Sequence, residues 1–115
     1  MAFTYLELSR CERFLANFME RRRPPPEIRA KLDLGYRITG HSVVLFAIRP
    51  DWQDATKTME FPFAKARFVR SQNHWRMFRM GSNLKWHGYE PNLRVVSLEA
   101  FLNVVDRDDY CCFFG

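Results

Sequence analysis

Apolar residues at the start of the chain recur at the spacing of a helix. Thr4 and Glu7 stand three residues apart, as in a capping box, where two side chains bond the free N–H groups of a helix start. The prolines at 24–26 cannot continue a helix. The pattern predicts an amphipathic N-terminal helix that ends at this run and buries a stripe formed by Cys11, Phe14, Leu15, Phe18 and Met19.

From Leu32 onward the pattern changes to the alternation of a half-buried strand. Gly40 and His41 then suit a two-residue turn of type II′, in which glycine comes first. The strand that follows, SVVLFAIR, is apolar on both faces, which is typical of a central strand covered from both sides. The turn predicts a hairpin with these residues opposite one another: Thr39 and Ser42, Ile38 and Val43, Tyr36 and Leu45.

A second hairpin is predicted further along, with strands near residues 62–70 and 75–80 around the sequence SQNH. A turn centred there places Arg70 opposite Trp75, and the pairing assigns every side chain to one face of the sheet. In the same register, Phe68 is opposite Met77 and Arg67 is opposite Phe78. The predicted core face carries Ala64, Ala66, Phe68, Trp75 and Met77, and the other face carries Lys65, Arg67, Val69, Arg76, Phe78 and Met80.

The last predicted element is a short helix. Ser97 suits its N-cap, and the aromatic tail formed by Phe113 and Phe114 is expected to dock on the body of the protein. The expected fold is therefore α+β: one domain over residues 1–115 with an N-terminal helix, a four-stranded antiparallel meander sheet and a short C-terminal helix. The apolar stripe of that closing helix consists of Leu98, Phe101, Leu102 and Val105.

Composition favours a globular protein of the cytoplasm. Hydrophobic residues make up 47% of the chain and aromatic residues 16%, which is enough apolar surface to oppose the entropy of a disordered chain. No window is apolar enough to span a bilayer, and the N-terminus does not resemble a signal peptide, so no membrane contact is expected. The three cysteines, two of them adjacent at 111 and 112, form a poor disulfide framework and are interpreted as reduced thiols.

The sequence offers little sign of an active site. His41, His74 and His87 stand alone in three predicted turns, and no ligand spacing typical of a metal site occurs. No nucleophile elbow, phosphate-binding loop or dinucleotide fingerprint is present either. We therefore expect no metal, no cofactor and no catalytic residue, and a binding module rather than an enzyme.

The charge distribution gives the clearest functional signal. The formal charge is +5, and residues 61–88 carry six basic side chains and no acidic one. Basic and aromatic side chains alternate there as they do in proteins that bind single-stranded nucleic acid. The alternative is a solvated sheet face, or one whose basic stems cover apolar surface. The predicted nucleic-acid-binding residues are Lys65, Arg67, Arg76 and Phe78, with Lys85 and Trp86 beyond them.

The segment GSNLKWHGYEP, residues 81–91, has two interpretations. As a ligand site, Trp86 and Tyr89 would stack an aromatic group while Lys85 or His87 supplies a charge. As a structural corner, its large rings would anchor a turn between glycine and proline. The second interpretation is favoured, because large aromatic residues beside these turn formers usually anchor the chain.

Five segments between residues 40 and 115 follow one another in a distinctive order: GHSVVLFAIRPDW, FPFAKARFV, HWRMFRMGSNLKWHGYEP, SLEAFLNVVDRD and the ending CCFFG. Together they resemble a family of short bacterial proteins known only as a domain of unknown function. The family pattern reads G-x-S-V-x-L-F-E-x-R-P, W-x-L-Y-W, D-L-K-W-H-x-Y, S-L-E-x-F-L and a final F-x-G. This chain has Ala47 at the glutamate position and Asn83 at the aspartate position. If those acids form a catalytic or metal-binding pair in relatives, this member has lost both.

Three functions follow, in order of preference. The first is a non-enzymatic binding module, with single-stranded nucleic acid as the partner of the basic hairpin face. The second is association with a protein or with a second copy as a homodimer, because the strand SVVLFAIR is apolar on both faces. The third is a degenerate member of an enzyme family.

Overall fold

A computed structural model describes residues 3–114 as two helices and six strands. The α+β arrangement predicted from the sequence is confirmed, with a helix before and a helix after an antiparallel sheet. None of the helices described is long and apolar enough to cross a membrane. In chain order the elements are α1 (Tyr5–Arg22), β1 (Asp33–Thr39), β2 (Ser42–Pro50), β3 (Thr58–Val69), β4 (His74–Met80), β5 (Trp86–Gly88), β6 (Arg94–Val95) and α2 (Leu98–Arg107).

Both helices begin where the sequence predicts. The Thr4 hydroxyl accepts a hydrogen bond from the N–H of Glu7, and the Glu7 carboxylate accepts one from the N–H of Thr4. The Ser97 hydroxyl accepts a bond from the N–H of Ala100 at the start of α2. The prediction of a helix ended by the proline run is also confirmed, because Arg23 is already extended.

The sheet has more strands than predicted. Its order is β1-β2-β3-β4-β5, all antiparallel, and β6 pairs with the same edge of β4 as β5 does, nearer the N-terminal end of β4. The prediction of four strands is therefore wrong. The strands it missed, β5 and β6, have only three and two residues, which is too short for an alternating pattern to stand out.

The first hairpin has the predicted register. Thr39 lies opposite Ser42 and Ile38 lies opposite Val43. Gly40 has a φ of 58°, in the left-handed region that a side chain would disfavour and that the first position of such a turn requires. The turn and the apolar alternation agree with each other here, which is why the register could be predicted.

The second hairpin has the predicted faces but not the predicted register. Phe68 lies opposite Trp75, and Arg67 lies opposite Arg76, so every pair is displaced by two residues from the prediction. The connection is a four-residue loop that includes a short 3-10 turn and a left-handed residue, Asn73, with φ 51°. Because side chains alternate with a period of two, this displacement leaves each residue on its predicted face.

Both helices pack against the same face of the sheet. Val43, Ala66 and Met77 are almost fully buried there. The expectation that β2 is covered on both sides by other elements is therefore wrong. On the opposite surface, which we call the open face, Phe46 is still buried; its ring packs against Gly35, and the guanidinium carbon of Arg37 lies 5.0 Å from its ring centroid. The helices contribute Cys11, Leu15, Phe18, Leu98, Phe101, Leu102 and Val105 to the core.

The aromatic tail docks as predicted. Asp108, at the end of α2, accepts hydrogen bonds from the N–H groups of Phe113 and Phe114, at 3.0 and 2.8 Å. The Phe113 ring is buried against Tyr89, and the ring centroids of Phe114 and Phe63 are 5.3 Å apart. Asp108 therefore turns the chain so that both phenylalanines reach the helix-covered side of the sheet.

Candidate nucleic-acid interface

Three cations lie within 6 Å of one aromatic ring on the open face. The ring is that of Phe78, and its centroid lies 5.4 Å from Lys65 Nζ, 5.7 Å from Arg67 Cζ and 5.9 Å from Arg76 Cζ. Lys65 Nζ is also 5.8 Å from the ring centroid of Trp86. Cations at such distances are attracted by the negative face of an aromatic ring. We call these five residues the Phe78 cluster.

Strand pairing brings the cluster together. Lys65 on β3 lies directly opposite Phe78 on β4, and Arg67 lies directly opposite Arg76. Trp86 enters from β5, where it pairs with Met80. Residues two apart on a strand share a face, so the alternating sequence of the hairpin places Lys65, Arg67, Arg76 and Phe78 on the open face, and the pairing with Met80 places Trp86 there too.

The cations of the cluster are not neutralised by protein acids. Within residues 3–114, no carboxylate forms an ion pair with Lys65, Arg67 or Arg76. Arg67 and Arg76 are also exposed. Elsewhere, several arginines on the same molecule do have acidic partners: Arg23 pairs with Asp33, Arg37 with Glu60 and Arg70 with Glu7. The cluster is therefore a positive surface available to an external anion.

A further arginine extends this surface. Arg94 on β6 lies opposite Arg76, on the side away from Arg67, and is exposed. Arg94 was not predicted from the sequence, because the purely basic segment ends before it and β6 is too short to be predicted. The alternation of Arg94 with buried Val95 was the available signal, although two residues carry little weight.

The other predicted site residues do not join the cluster. Lys85 is exposed in the turn before β5, and its ammonium does not lie within about 6 Å of the rings of Phe78 or Trp86. His87 alternates with Trp86 and so lies on the opposite side of β5. Tyr89 is only 1% exposed, and burial raises the pKa of its hydroxyl. The proposed ligand site of Trp86, His87 and Tyr89 is therefore not assembled.

Residues 81–91 form a structural corner instead. The Asn83 side-chain oxygen accepts a hydrogen bond from the N–H of Lys85 and lies 3.0 Å from His87 Nε2. Gly81 is packed so closely against the His87 ring that a Cβ atom would lie 2.5 Å from it. The glycine and the asparagine hold the turn, and the segment then carries Tyr89 into the core.

The two positions that depart from the resembled family pattern do not line a common cleft. Ala47 on β2 borders a cleft with Phe61, Phe63 and Phe113, in which Arg49 is the one ionisable residue among those described. Asn83 lies in the turn after β4, with β3 between it and β2 in the sheet order. In the part of the chain that the structure describes, no three His, Cys, Asp or Glu side chains are grouped to hold a metal ion.

Comparison with known proteins gives one match. The family model of a domain of unknown function, DUF3024, matches residues 3–115. No curated protein and no solved structure matches the chain. The match covers the whole sheet, including the Phe78 cluster, and it confirms the resemblance to a family of unknown function.

Proposed function

We propose that the chain, which belongs to the DUF3024 family, binds nucleic acid through the open face of its sheet. The observation that carries this proposal is the Phe78 cluster, in which Lys65, Arg67 and Arg76 lie within 6 Å of one ring centroid and have no acidic partner within the described chain. Phosphate groups supply the missing negative charge, and their binding releases counterions from the nucleic acid.

The rings favour nucleic acid over an acidic protein surface. Phe78 and Trp86 are both partly exposed among the cations. Nucleobases stack on aromatic side chains and on guanidinium planes, so a mixed surface of rings and arginines can bind both parts of a nucleotide. An acidic peptide would use the charges but would leave the rings without a partner.

The folded protein supports association with a second copy less than the sequence does. Such an association would use the apolar residues of β2 that face away from the core. Phe46 is buried beneath Arg37, and Val44 and Ile48 are half-buried within this one chain. The open-face side of β2 therefore offers no large apolar patch for a second copy.

Fluorescence anisotropy of labelled single-stranded DNA, single-stranded RNA and duplex DNA tests the proposal. The protein is titrated at low and at moderate salt, together with the K65A/R67A/R76A variant. We expect salt-sensitive binding by the wild type and its loss in the triple variant.

A second triple variant controls for net charge. Arg13, Lys31 and Lys57 are exposed and lie on α1 or in loops, so R13A/K31A/K57A removes the same charge outside the open face. It should retain most of the binding. Equal loss in both variants, or no binding by the wild type at low salt, would contradict the proposal.

A further inference from the structure

Three arginines from three strands lie side by side across the open face. Arg67 on β3 is opposite Arg76 on β4, and Arg76 is opposite Arg94 on β6. Neighbouring strands are about 5 Å apart, so this row spans about 10 Å at right angles to the strands. We call these three residues the arginine row.

The arginine row is unfavourable in the free protein. Like charges that lie directly opposite on neighbouring strands repel each other. In residues 3–114, the row has no carboxylate partner to reduce this repulsion. A line of anions spaced along the row would remove it, and a nucleic-acid backbone is such a line.

The rings lie beside the row, on one side of it. Phe78 is two residues beyond Arg76 on the same face of β4, a distance of about 7 Å. Trp86 is opposite Met80, two residues further along in the same direction. The open face therefore has a line of positive charge with aromatic rings along one of its sides.

A single strand of nucleic acid has the matching arrangement, with phosphates along one edge and bases along the other. We infer that one single strand crosses the sheet at right angles to the β-strands, an inference that rests on the proposed function. Its phosphates contact Arg67, Arg76 and Arg94, and its bases stack on Phe78 and Trp86. In a duplex the faces of the bases are already stacked, so Phe78 and Trp86 could not reach them.

The closing experiment measures the salt dependence of binding for Arg94→Ala. The equilibrium constant is determined at several salt concentrations with single-stranded DNA, single-stranded RNA and duplex DNA of the same sequence. Each phosphate contact in a single strand contributes about 0.7 to the slope of log K against log salt. We expect the slope of the variant to be shallower than that of the wild type by about that amount.

Two further variants separate charge from stacking. Phe78→Leu keeps an apolar side chain but removes the stacking surface, so it should weaken single-strand binding by about 5- to 150-fold with an unchanged slope. Arg79→Ala removes a charge from the same strand on the face toward the helices, and it should leave both slope and affinity nearly unchanged. Thermal unfolding of each variant checks that it is folded.

The outcomes distinguish this inference from the proposed function. If the wild type binds but Arg94→Ala leaves the slope unchanged, the crossing geometry is wrong and the nucleic-acid proposal stands. If Phe78→Leu weakens duplex binding as much as single-strand binding, the single-strand assignment is wrong. If the wild type binds none of the probes at low salt, both are overturned. Binding of DNA and RNA alike supports the inference.

Discussion

Arg76 lies directly opposite Arg67 on the open face of the sheet, and within residues 3–114 neither guanidinium lies within 4.0 Å of a carboxylate. Both also lie within 6 Å of the Phe78 ring centroid, at 5.7 and 5.9 Å. Repulsion between the two charges opposes folding, while attraction of each guanidinium to the Phe78 ring beside them favours it. Replacing either arginine should therefore change both the stability of the sheet and the affinity for nucleic acid.

Removing one of these charges should stabilise the protein while weakening its binding. We expect Arg76→Thr to raise the free energy of unfolding by about 0.2–1 kcal/mol, because like charges opposite each other are lost and threonine suits a strand. Urea denaturation at low salt measures the change, and the anisotropy titration measures the loss of affinity.

Arg37 provides the matched control on the same face. Its guanidinium donates hydrogen bonds of 3.0 and 3.2 Å to Glu60 and covers the Phe46 ring. Arg37→Thr should therefore lower the free energy of unfolding. If Arg76→Thr destabilises the protein as much as Arg37→Thr does, Arg76 stabilises the fold, and the arginine row is not unfavourable in the free protein.

The ion pair between Glu7 and Arg70 predicts a dependence of stability on pH. Arg70 donates two hydrogen bonds to Glu7, at 3.0 and 2.8 Å. These bonds are the main reason that the pKa of Glu7 is lowered from 4.5 to about 2, and the hydrogen bond from the N–H of Thr4 lowers it further. Because the pKa is lower in the folded state, the contribution is complete above pH 4.5 and is lost as the pH falls toward 2.

Glu7→Gln tests this dependence, because glutamine can keep the capping bond to Thr4 but cannot form the ion pair. The variant should have a lower midpoint of thermal unfolding near neutral pH. The difference from the wild type should shrink as the pH is lowered from 4.5 toward 2. A difference that stays constant over this range would show that the ion pair does not stabilise the fold.

Tyr89 should affect stability and not binding. Its ring is 1% exposed and lies 5.0 Å from that of Phe113. Tyr89→Ala should lower the free energy of unfolding by about 3–5 kcal/mol, as truncation of a buried aromatic residue does. Tyr89→Phe keeps the ring and should bind nucleic acid as the wild type does. A marked loss of affinity in Tyr89→Phe would return the tyrosine to the binding site.

The cysteines should differ in reactivity. Cys11 is buried in the core, and burial raises the pKa of its thiol to about 11, whereas Cys111 is exposed. The thiolate is the nucleophile, so Cys11 should resist iodoacetamide in the native protein and react after denaturation. Mass spectrometry of the alkylated peptides measures this. Rapid native labelling of Cys11 would mean that α1 detaches readily from the sheet.

The faces of the sheet could be predicted from the sequence, but the register of the second hairpin could not. Alternation with a period of two assigns Lys65 and Phe78 to one face for any even turn length. The sequence SQNH contains no glycine to specify a two-residue turn, and the actual loop has four residues. The first hairpin was predictable because Gly40 specifies its turn.

Some residues could not be assigned to the site or to the core from the sequence, because contacts with distant parts of the chain decide where they lie. Arg94 joins the basic surface through a two-residue strand beside β4, and no local pattern indicates that pairing. Tyr89 directly follows the short strand β5 and precedes the exposed Glu90, yet it lies in the core, where its backbone N–H donates a hydrogen bond to the carbonyl of Met77. The cluster of Lys65, Arg67 and Phe78 was predictable because one hairpin contains it.

Nuclear magnetic resonance tests most directly whether nucleic acid binds the open face around Phe78, because it maps the binding surface. Isotope-labelled protein is titrated with a short single-stranded oligonucleotide at low salt, and shifts of the backbone amides and of the Trp86 indole N–H are followed. We expect the largest changes on β3, β4 and β6 around Phe78, with α1 little affected. Largest changes on the helices, or no changes at all, would contradict it.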